Sequence, residues 1–202
     1  MEVLPLAFTS GWASGLNAYA TVLALGLLGR FADLDAVPDG LQRTDVLIVA
    51  GVLALIEFVA DKVPYVDTIW DGLSTVLRPV AGATIGALLA GSQGDLVTVT
   101  LAAVGGVTAL VSHLVKASLR MAINTSPEPV TNIGASVAED TAAVGVTTFA
   151  VLFPIPAAII AGILLLAGIV VAVWALNRVR RGWAAFHRWY AKRTADAEMP
   201  AN

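Results

Sequence analysis

Residues 156–174 read Pro-Ala-Ala-Ile-Ile-Ala-Gly-Ile-Leu-Leu-Leu-Ala-Gly-Ile-Val-Val-Ala-Val-Trp and contain no charged side chain. A helix needs about 20 apolar residues to cross a hydrocarbon core about 30 Å thick, so this stretch predicts a transmembrane helix. The whole 202-residue chain agrees, because 57% of it is hydrophobic and only 13% is charged, with mean hydropathy +0.80. Soluble domains carry about 25% charged residues. The sequence therefore predicts an integral membrane protein.

Five further apolar segments precede this one and complete the expected fold. With short connections the chain has room for an all-α bundle of about six transmembrane helices. The predicted spans are Leu4–Arg30, Asp45–Val63, Pro79–Gly91, Leu96–Met121, Thr131–Leu152 and Pro156–Trp174. Glycines four positions apart at 11–15 and 82–86 predict close packing between helices.

Two predicted spans have irregular sequences. The first contains Gly11, Gly15 and Asn17, which indicates that it can divide into two half-helices. The span 79–91 covers only about 20 Å of helix, which predicts a broken or thinned region. The segment 67–73 before it combines acidic and apolar residues at helical spacing, so we expect a short amphipathic helix on the cytoplasmic side.

Charge is unevenly distributed along the chain. Residues 1–177 carry six Lys and Arg against thirteen Asp and Glu, whereas residues 178–202 carry six against two. Because basic residues favour the cytoplasmic side, we expect a transmembrane domain over 1–177 and a basic cytoplasmic tail over 178–202. Counting six spans back from this tail places both termini in the cytoplasm. Nucleic-acid binding is the alternative for a basic stretch, but this one directly follows an apolar span, which favours a membrane anchor.

The composition excludes several kinds of chemistry. The chain has no cysteine and two histidines, which excludes disulfides, thiolate metal sites and iron–sulfur clusters. It also lacks the Gly-x-Ser-x-Gly, His-Glu-x-x-His and phosphate-cradling glycine motifs. We therefore expect no cofactor and no catalytic residue. An enzyme that acts on lipid head groups, with Arg78, Lys116 and Arg120 holding a phosphate, is the least favoured alternative.

The first group of polar residues surrounds the end of the second predicted span. Glu57 and Asp61 are four positions apart, so on a helix their carboxylates share one face. Glu57 lies about 20 Å along its span, where a carboxylate needs a partner or a proton. The candidate binding or coupling residues here, with Asn17 from the first span, are Asn17, Glu57, Asp61, Lys62, Asp67, Asp71 and Arg78.

The second group lies at the cytoplasmic ends of the fourth and fifth predicted spans. One helix face carries a basic stripe with spacings of three and four, and the next helix carries a polar face with spacings of four and three. Asp140 lies about 100° around its helix from Glu139. The candidates are His113, Lys116, Arg120, Asn132, Ser136, Glu139 and Asp140.

The two groups have the same predicted depth, so their opposite charges are expected to meet. Leaving either sign unpaired in the membrane costs several kcal/mol. We therefore expect neighbouring helices and at least one ion pair between the acidic residues Glu57 and Asp61 and the basic residues Lys116 and Arg120, with Glu139 facing inward. A purely structural ion-pair lattice is the alternative, although ionisable groups within spans favour a functional site.

Several short blocks follow one another in a fixed order. They are Ser14-Gly15-Leu16-Asn17, Glu57 with Ala60-Asp61-Lys62-Val63-Pro64 and Val66-Asp67, Asp71, Leu77-Arg78-Pro79-Val80-Ala81-Gly82, His113 with Lys116-Ala117 and Arg120, and Asn132 with Ser136 and Glu139-Asp140. In this order they resemble an uncharacterised bacterial membrane family, domain-of-unknown-function family 4126. That family often has Gly-Leu-Arg-Pro where this chain has Gly15-Leu16-Asn17-Ala18, so a positive charge is missing here. The resemblance implies a multispan protein of the bacterial inner membrane and supplies no activity.

The block Glu57-Phe58-Val59-Ala60-Asp61-Lys62 is also similar to the Glu-x-Gly-Asp-Lys motif of a family of manganese and calcium exporters, with one extra residue. Hard cations take carboxylate oxygens as ligands. A site of Glu57, Asp61, Glu139 and Asp140 would be rich in such oxygens. The sequence leaves the presence and identity of a metal open.

Membrane-embedded carboxylates commonly serve ion pathways and proton relays. The leading hypothesis is therefore a transporter of a small ion or polar solute, with a charged pocket near the cytoplasmic side. The alternative is a non-catalytic structural or assembly subunit of a membrane complex. The expected partners are the lipid bilayer, the small ion or solute, and a second copy or a membrane-complex subunit, and no nucleic acid.

Overall fold

The computed structural model describes residues 3–32, 34–63, 66–124 and 129–197, and these ranges are helical apart from short connections. The described helices are α1 (Val3–Leu16), α2 (Ala18–Ala32), α3 (Asp39–Gln42), α4 (Thr44–Ala60), α5 (Val66–Ala90), α6 (Asp95–Asn124), α7 (Pro129–Leu152) and α8 (Pro154–Ala197). The predicted all-α bundle is confirmed. The predicted spans after the first correspond to α4, the second half of α5, α6, α7 and the first half of α8.

The bundle has an apolar surface and a charged interior. Large apolar side chains such as Ile48, Leu55 and Leu166 are more than half exposed, whereas Arg78 and Lys116 are each only 1% exposed. Such a surface is stable in lipid and not in water. Helices α5, α6, α7 and α8 are long and apolar enough to cross a membrane. The protein is therefore a helical membrane protein.

Helix α5 joins two segments that the sequence predicts as separate. The amphipathic segment 67–73 and the short span 79–91 belong to a single helix of 25 residues, about 37 Å long. The expected separate cytoplasmic helix and the thinned span are therefore wrong. Pro79 lies inside α5 and removes only one backbone donor, which a long membrane helix tolerates. The buried polar face of α5 consists of Asp67, Asp71, Ser74 and Arg78.

Helix α1 runs in the same direction as α6. Gly11 of α1 lies against Gly105, and four residues later Gly15 lies against Ala109. A methyl group on either glycine of α1 would overlap the backbone of α6. The predicted close packing at small residues is therefore confirmed for this pair, and Gly82 of α5 meets the same Gly105 from the other side.

Helix α2 runs back in the opposite direction, so α1 and α2 form a hairpin. Arg30 near the end of α2 donates a hydrogen bond of 2.8 Å to Thr44 at the start of α4. Gly40, just before α4, lies against Leu88 near the end of α5, where the turn 91–94 leads into α6. The predicted first crossing over Leu4–Arg30 is therefore wrong, because the chain enters and leaves the bundle at the same end.

The bundle has two ends, which we call the turn end and the basic end. The turn end contains the turn 91–94, and the basic end is the opposite one, toward which α8 runs from Pro154 to Arg178 and beyond. Val3 packs on an apolar cluster at the turn end together with Val97. The described residues nearest the termini therefore lie at opposite ends of the bundle, which contradicts the predicted placement of both termini on one side. Residues 1–2 and 198–202 lie outside the described residues.

Candidate functional site

Most charged candidates of both groups, all except Lys62 and Asp140, meet in one buried region, which we call the charge cluster. It draws on α4, α5, α6 and α7 and consists of Glu57, Asp61, Asp67, Asp71, Arg78, His113, Lys116, Arg120, Asn132 and Glu139. Arg78 lies about 18 Å along α5 from the turn end, and Asp67 lies about 35 Å from it. The charge cluster thus extends from near the middle of the bundle toward the basic end.

Arg78 connects three helices at the inner limit of the charge cluster. Its Nη2 donates to Glu57 Oε1, and its Nη1 lies 3.1 Å from Asp71 Oδ1. The same Nη1 lies 2.7 Å from His113 Nδ1. Because guanidinium nitrogens only donate, we assign Nδ1 of His113 as an acceptor and Nε2 as the nitrogen that carries hydrogen. That nitrogen lies 3.0 Å from the hydroxyl of Thr75.

Lys116 is the second buried cation. Its Nζ lies 2.7 Å from Asp61 Oδ2, 3.6 Å from Glu139 Oε2 and 3.8 Å from Glu57 Oε1. The predicted ion pair between the two groups is therefore confirmed. The prediction that α4 and α6 are neighbouring helices is wrong. Their backbones hardly come into contact, and the long side chain of Lys116 spans the gap between them.

Arg120 closes the charge cluster toward the basic end. Its Nη2 and Nε donate to Glu139 Oε2 at 2.7 and 3.2 Å. Its Nη1 donates to Asn132 Oδ1 at 2.6 Å and to the Asp61 carbonyl oxygen at 3.0 Å. Asp67 Oδ2 lies 3.8 Å away. The expected inward position of Glu139 is therefore confirmed.

The tip of the α1–α2 hairpin contacts the charge cluster through its backbone. The carbonyl oxygen of Leu16 accepts a hydrogen bond of 2.9 Å from Lys116 Nζ, and that of Gly15 accepts one of 3.3 Å from Arg78 Nη1. These carbonyls lie at the end of α1, where a helix leaves its acceptors unpaired and carries partial negative charge. The helix end therefore acts as an additional anionic group for two buried cations.

Asn17 forms the single residue between the two helices of the hairpin. Its Oδ1 accepts a hydrogen bond of 2.8 Å from the backbone N–H of Ala20 and so caps α2. Its Nδ2 donates to Asp140 Oδ1 at 2.9 Å. The predicted division of this segment into two half-helices is confirmed. Asp140 contacts the tip rather than the ion pairs around Glu139.

Lys62 and Ser136 lie beside the charge cluster. Lys62 Nζ donates to the Phe58 carbonyl oxygen at 2.8 Å and to Ser136 Oγ at 3.2 Å. Among the described residues, Lys62 forms no ion pair with a carboxylate. These two candidates therefore link the residues that follow α4 to α7 and do not belong to the ion-pair network.

The charge cluster is not electrically balanced. Five carboxylates face three side-chain cations, and these are Glu57, Asp61, Asp67, Asp71 and Glu139 against Arg78, Lys116 and Arg120. Among the described residues, the buried oxygens Glu57 Oε2, Asp61 Oδ1 and Asp71 Oδ2 have no hydrogen-bond partner. A buried carboxylate oxygen without a donor is costly, so these atoms would accept a proton or a cation.

The oxygen-rich metal site that the sequence left open does not form among the described residues. In the part of the chain that the structure describes, no three Asp, Glu or His side chains are placed to hold a metal ion. Asp61 and Glu139 are held apart by Lys116 and Arg120, and Asp140 turns toward Asn17. The resemblance to the cation-exporter motif is therefore not matched by the geometry.

Sequence reasoning missed several partners of the charge cluster. Thr75 lies on the α5 face between Asp71 and Arg78, and its helical spacing is a signal that could have found it. Asn124 Nδ2 donates to both oxygens of Asp67 at 3.1 Å. The carbonyls of the hairpin tip have no side-chain signal, because every residue supplies the same group.

Fold and site together define the class: a helical membrane protein in which a hairpin of two half-helices places its tip on a buried, unbalanced charge cluster. The chain belongs to the family described as Domain of unknown function (DUF4126), whose model matches residues 4–174. The matched range contains the whole charge cluster and the hairpin. No curated protein and no solved structure matches the chain.

Proposed function

We propose that this protein is a transporter of a small ion or polar solute in the bacterial inner membrane, with the charge cluster as its binding and coupling centre. The observation that carries the proposal is the placement of the hairpin tip on the cations Lys116 and Arg78 of a buried charge cluster that has an excess of carboxylates. Discontinuous helices whose ends point at a charged site near the middle of the bilayer are typical of secondary transporters. The excess of carboxylates favours a cationic species, including a proton.

Glu57 is the proposed coupling residue. Its side chain is fully buried; Oε1 accepts a hydrogen bond from Arg78, whereas Oε2 has no hydrogen-bond partner in the part of the chain that the structure describes. A carboxyl group that gains and loses a proton there would switch the strength of its bond to Arg78. That change would also alter the hydrogen bond that the same guanidinium donates to the Gly15 carbonyl at the hairpin tip.

Charge distribution supports an orientation for the proposal. The basic end carries Arg178, Arg180 and Arg181, which favours the cytoplasm. Residues 1–177 would then form the transmembrane domain and 178–202 a basic cytoplasmic tail. The turn end, with Val3, would face away from the cytoplasm.

The test is a flux assay on the full chain in liposomes that contain a pH-sensitive dye. A pH gradient, a sodium gradient and a potassium gradient are applied in turn. We expect the wild-type protein to dissipate one of them, and Glu57→Gln to reduce this flux at least about tenfold, because the amide keeps the shape and removes the titrating group. The matched control is Asp95→Asn, an exposed carboxylate at the start of α6, which should leave the flux unchanged. Equal flux in wild-type and Glu57→Gln protein would remove Glu57 from the coupling step.

One observation favours the structural subunit as a second candidate. Every cation of the charge cluster is paired and at most 1% exposed, as in an ion-pair lattice that fixes the fold. A structural subunit would show no flux under any of the three gradients. Glu57→Gln would then change the free energy of unfolding and nothing else.

A further inference from the structure

Glu139 is the member of the charge cluster that borders cavities in the bundle. Its side chain is 15% exposed, whereas each of the other ion-paired side chains of the cluster is at most 5% exposed. Arg120 and Lys116 both approach its Oε2. Both contacts involve the same carboxylate oxygen, and among the described residues no hydrogen bond or ion pair to the other oxygen is found.

Two cavities adjoin Glu139, one on each side. The upper cavity has a volume of about 180 Å³ and extends to Trp12 of α1 and Gly168 of α8. The lower cavity has a volume of about 420 Å³ and lies among α6, α7 and α8. Both are lined by Glu139 and Leu119, so these two side chains separate the cavities.

The lower cavity leads toward the basic end. Its lining includes Ile123, the last residue but one of α6, and Ala175, which directly follows the apolar stretch of α8. The gap exists because α6 and α7 barely pack against each other, and α8 covers it. The lower cavity therefore extends from Glu139 to the level of Ile123 and Ala175, on the side of the basic end.

We propose that Glu139 is the port through which a small cation reaches the charge cluster from the basic end. This inference rests on the proposed transport function and narrows its substrate class. The upper cavity has space for about six water molecules, which fits a hydronium or a sparsely hydrated monovalent cation. At Glu139 the cation shares the carboxylate with Arg120 and lies next to Lys116 and its partner Asp61.

The experiment uses the absence of cysteine from the chain, which permits single-cysteine variants of the full protein. Ala138→Cys places a thiol in the lower cavity and Ala142→Cys places one in the upper cavity. Ala143→Cys is the control, because Ala143 is fully buried and lines neither cavity. Each variant is treated with a cationic aminoethyl and an anionic sulfonatoethyl methanethiosulfonate, and each rate is divided by the rate with free cysteine.

We expect Ala138→Cys and Ala142→Cys to react at least about tenfold faster with the cationic reagent, because the carboxylate of Glu139 attracts cations. When Glu139→Gln is added to either cysteine variant, the normalised rates with the cationic and the anionic reagent should become nearly equal. When Glu139→Asp is added instead, the cationic reagent should still react faster. Ala143→Cys should react only in denaturant. Glu139→Asp thus separates the effect of charge from a loss of folding.

Two results would overturn the port. One is a cation preference that Glu139→Gln leaves unchanged. The other is an absence of labelling at both cavity positions in the folded protein, which would mean that lipid chains fill the cavities. The flux assay separates this inference from the proposed function: the expected labelling without flux would reject transport, whereas flux that needs Glu57 but not Glu139 would reject only the port.

Discussion

Lys116 and Asp61 form the shortest contact between the basic stripe of α6 and α4, with their charged atoms 2.7 Å apart and neither side chain exposed. Lys116→Met or Asp61→Asn alone leaves the other charge buried without its closest partner. We expect each to lower the free energy of unfolding by about 3–5 kcal/mol. The double variant should lose less free energy of unfolding than the two single variants lose together, and we expect this difference to be about 0.5–3 kcal/mol.

The measurement is a double-mutant cycle by unfolding in mixed detergent micelles, followed by circular dichroism. The control is the exposed pair Arg43 and Asp45, whose charged atoms also lie 2.7 Å apart but in contact with solvent. Removing that pair should have no measurable effect, because solvent screens it. Strictly additive losses for Lys116 and Asp61 would show that their proximity does not stabilise the fold.

The residue scale also shows how far a sequence can predict a site. A spacing of four is enough to place Glu57 with Asp61, and Lys116 with Arg120, on common helix faces. Which acid meets which cation depends on the positions of the helices around them. Arg78 illustrates this dependence, because its two acidic partners lie on α4 and α5 whereas its histidine partner lies on α6.

At the scale of elements, the α1–α2 hairpin depends on glycines that admit the backbone of α6. A methyl group on Gly15 would overlap the carbonyl oxygen of Ala109 and the side chain of Ser112. We expect Gly15→Ala to lower the free energy of unfolding by about 1–3 kcal/mol, because neither helix backbone can yield at that contact. Unfolding in mixed micelles measures the change.

Gly145 provides the matched control in α7, since nothing lies within 4 Å of a methyl group placed there. Gly145→Ala should be neutral or stabilise the helix by up to about 1 kcal/mol. Equal effects of the two substitutions would mean that α1 does not pack on α6 as closely as described.

The elements that the sequence predicted correctly are those with local signals. Long, mainly apolar stretches indicate α4, α6, α7 and the first half of α8, although the first three also carry the charged and polar candidates. The hairpin could not be predicted, because Leu4–Arg30 is long enough for one crossing and its break at Asn17 permits either direction. The direction of α2 is decided by contacts with α3 and α4, which follow it in the chain, and with α7, which is distant in sequence. Pro79 misled the prediction of α5, since a proline that often ends a helix lies inside this one.

For the whole molecule, the arrangement of polarity explains why so many charges lie inside. In lipid, apolar side chains gain little by leaving the surface, so close backbone contact and polar bonds must supply the specificity of packing. The charge cluster connects α4, α5, α6, α7 and the hairpin tip in the half of the bundle nearer the basic end. The same cluster that holds the helices together also carries the uncompensated carboxylates on which the proposed transport depends.

The hairpin determines the topology of the whole chain, and sided labelling of single cysteines tests it most directly. The variants are Leu4→Cys, Phe31→Cys, Gln93→Cys and Arg181→Cys, all at exposed positions in a chain without cysteine. They are placed in membrane vesicles of known orientation and treated with a membrane-impermeant maleimide. We predict that Leu4→Cys, Phe31→Cys and Gln93→Cys are labelled from one side and Arg181→Cys from the other. Labelling of Leu4→Cys from the same side as Arg181→Cys would mean that the first segment crosses the membrane, and would contradict the hairpin and the position of its tip on the charge cluster.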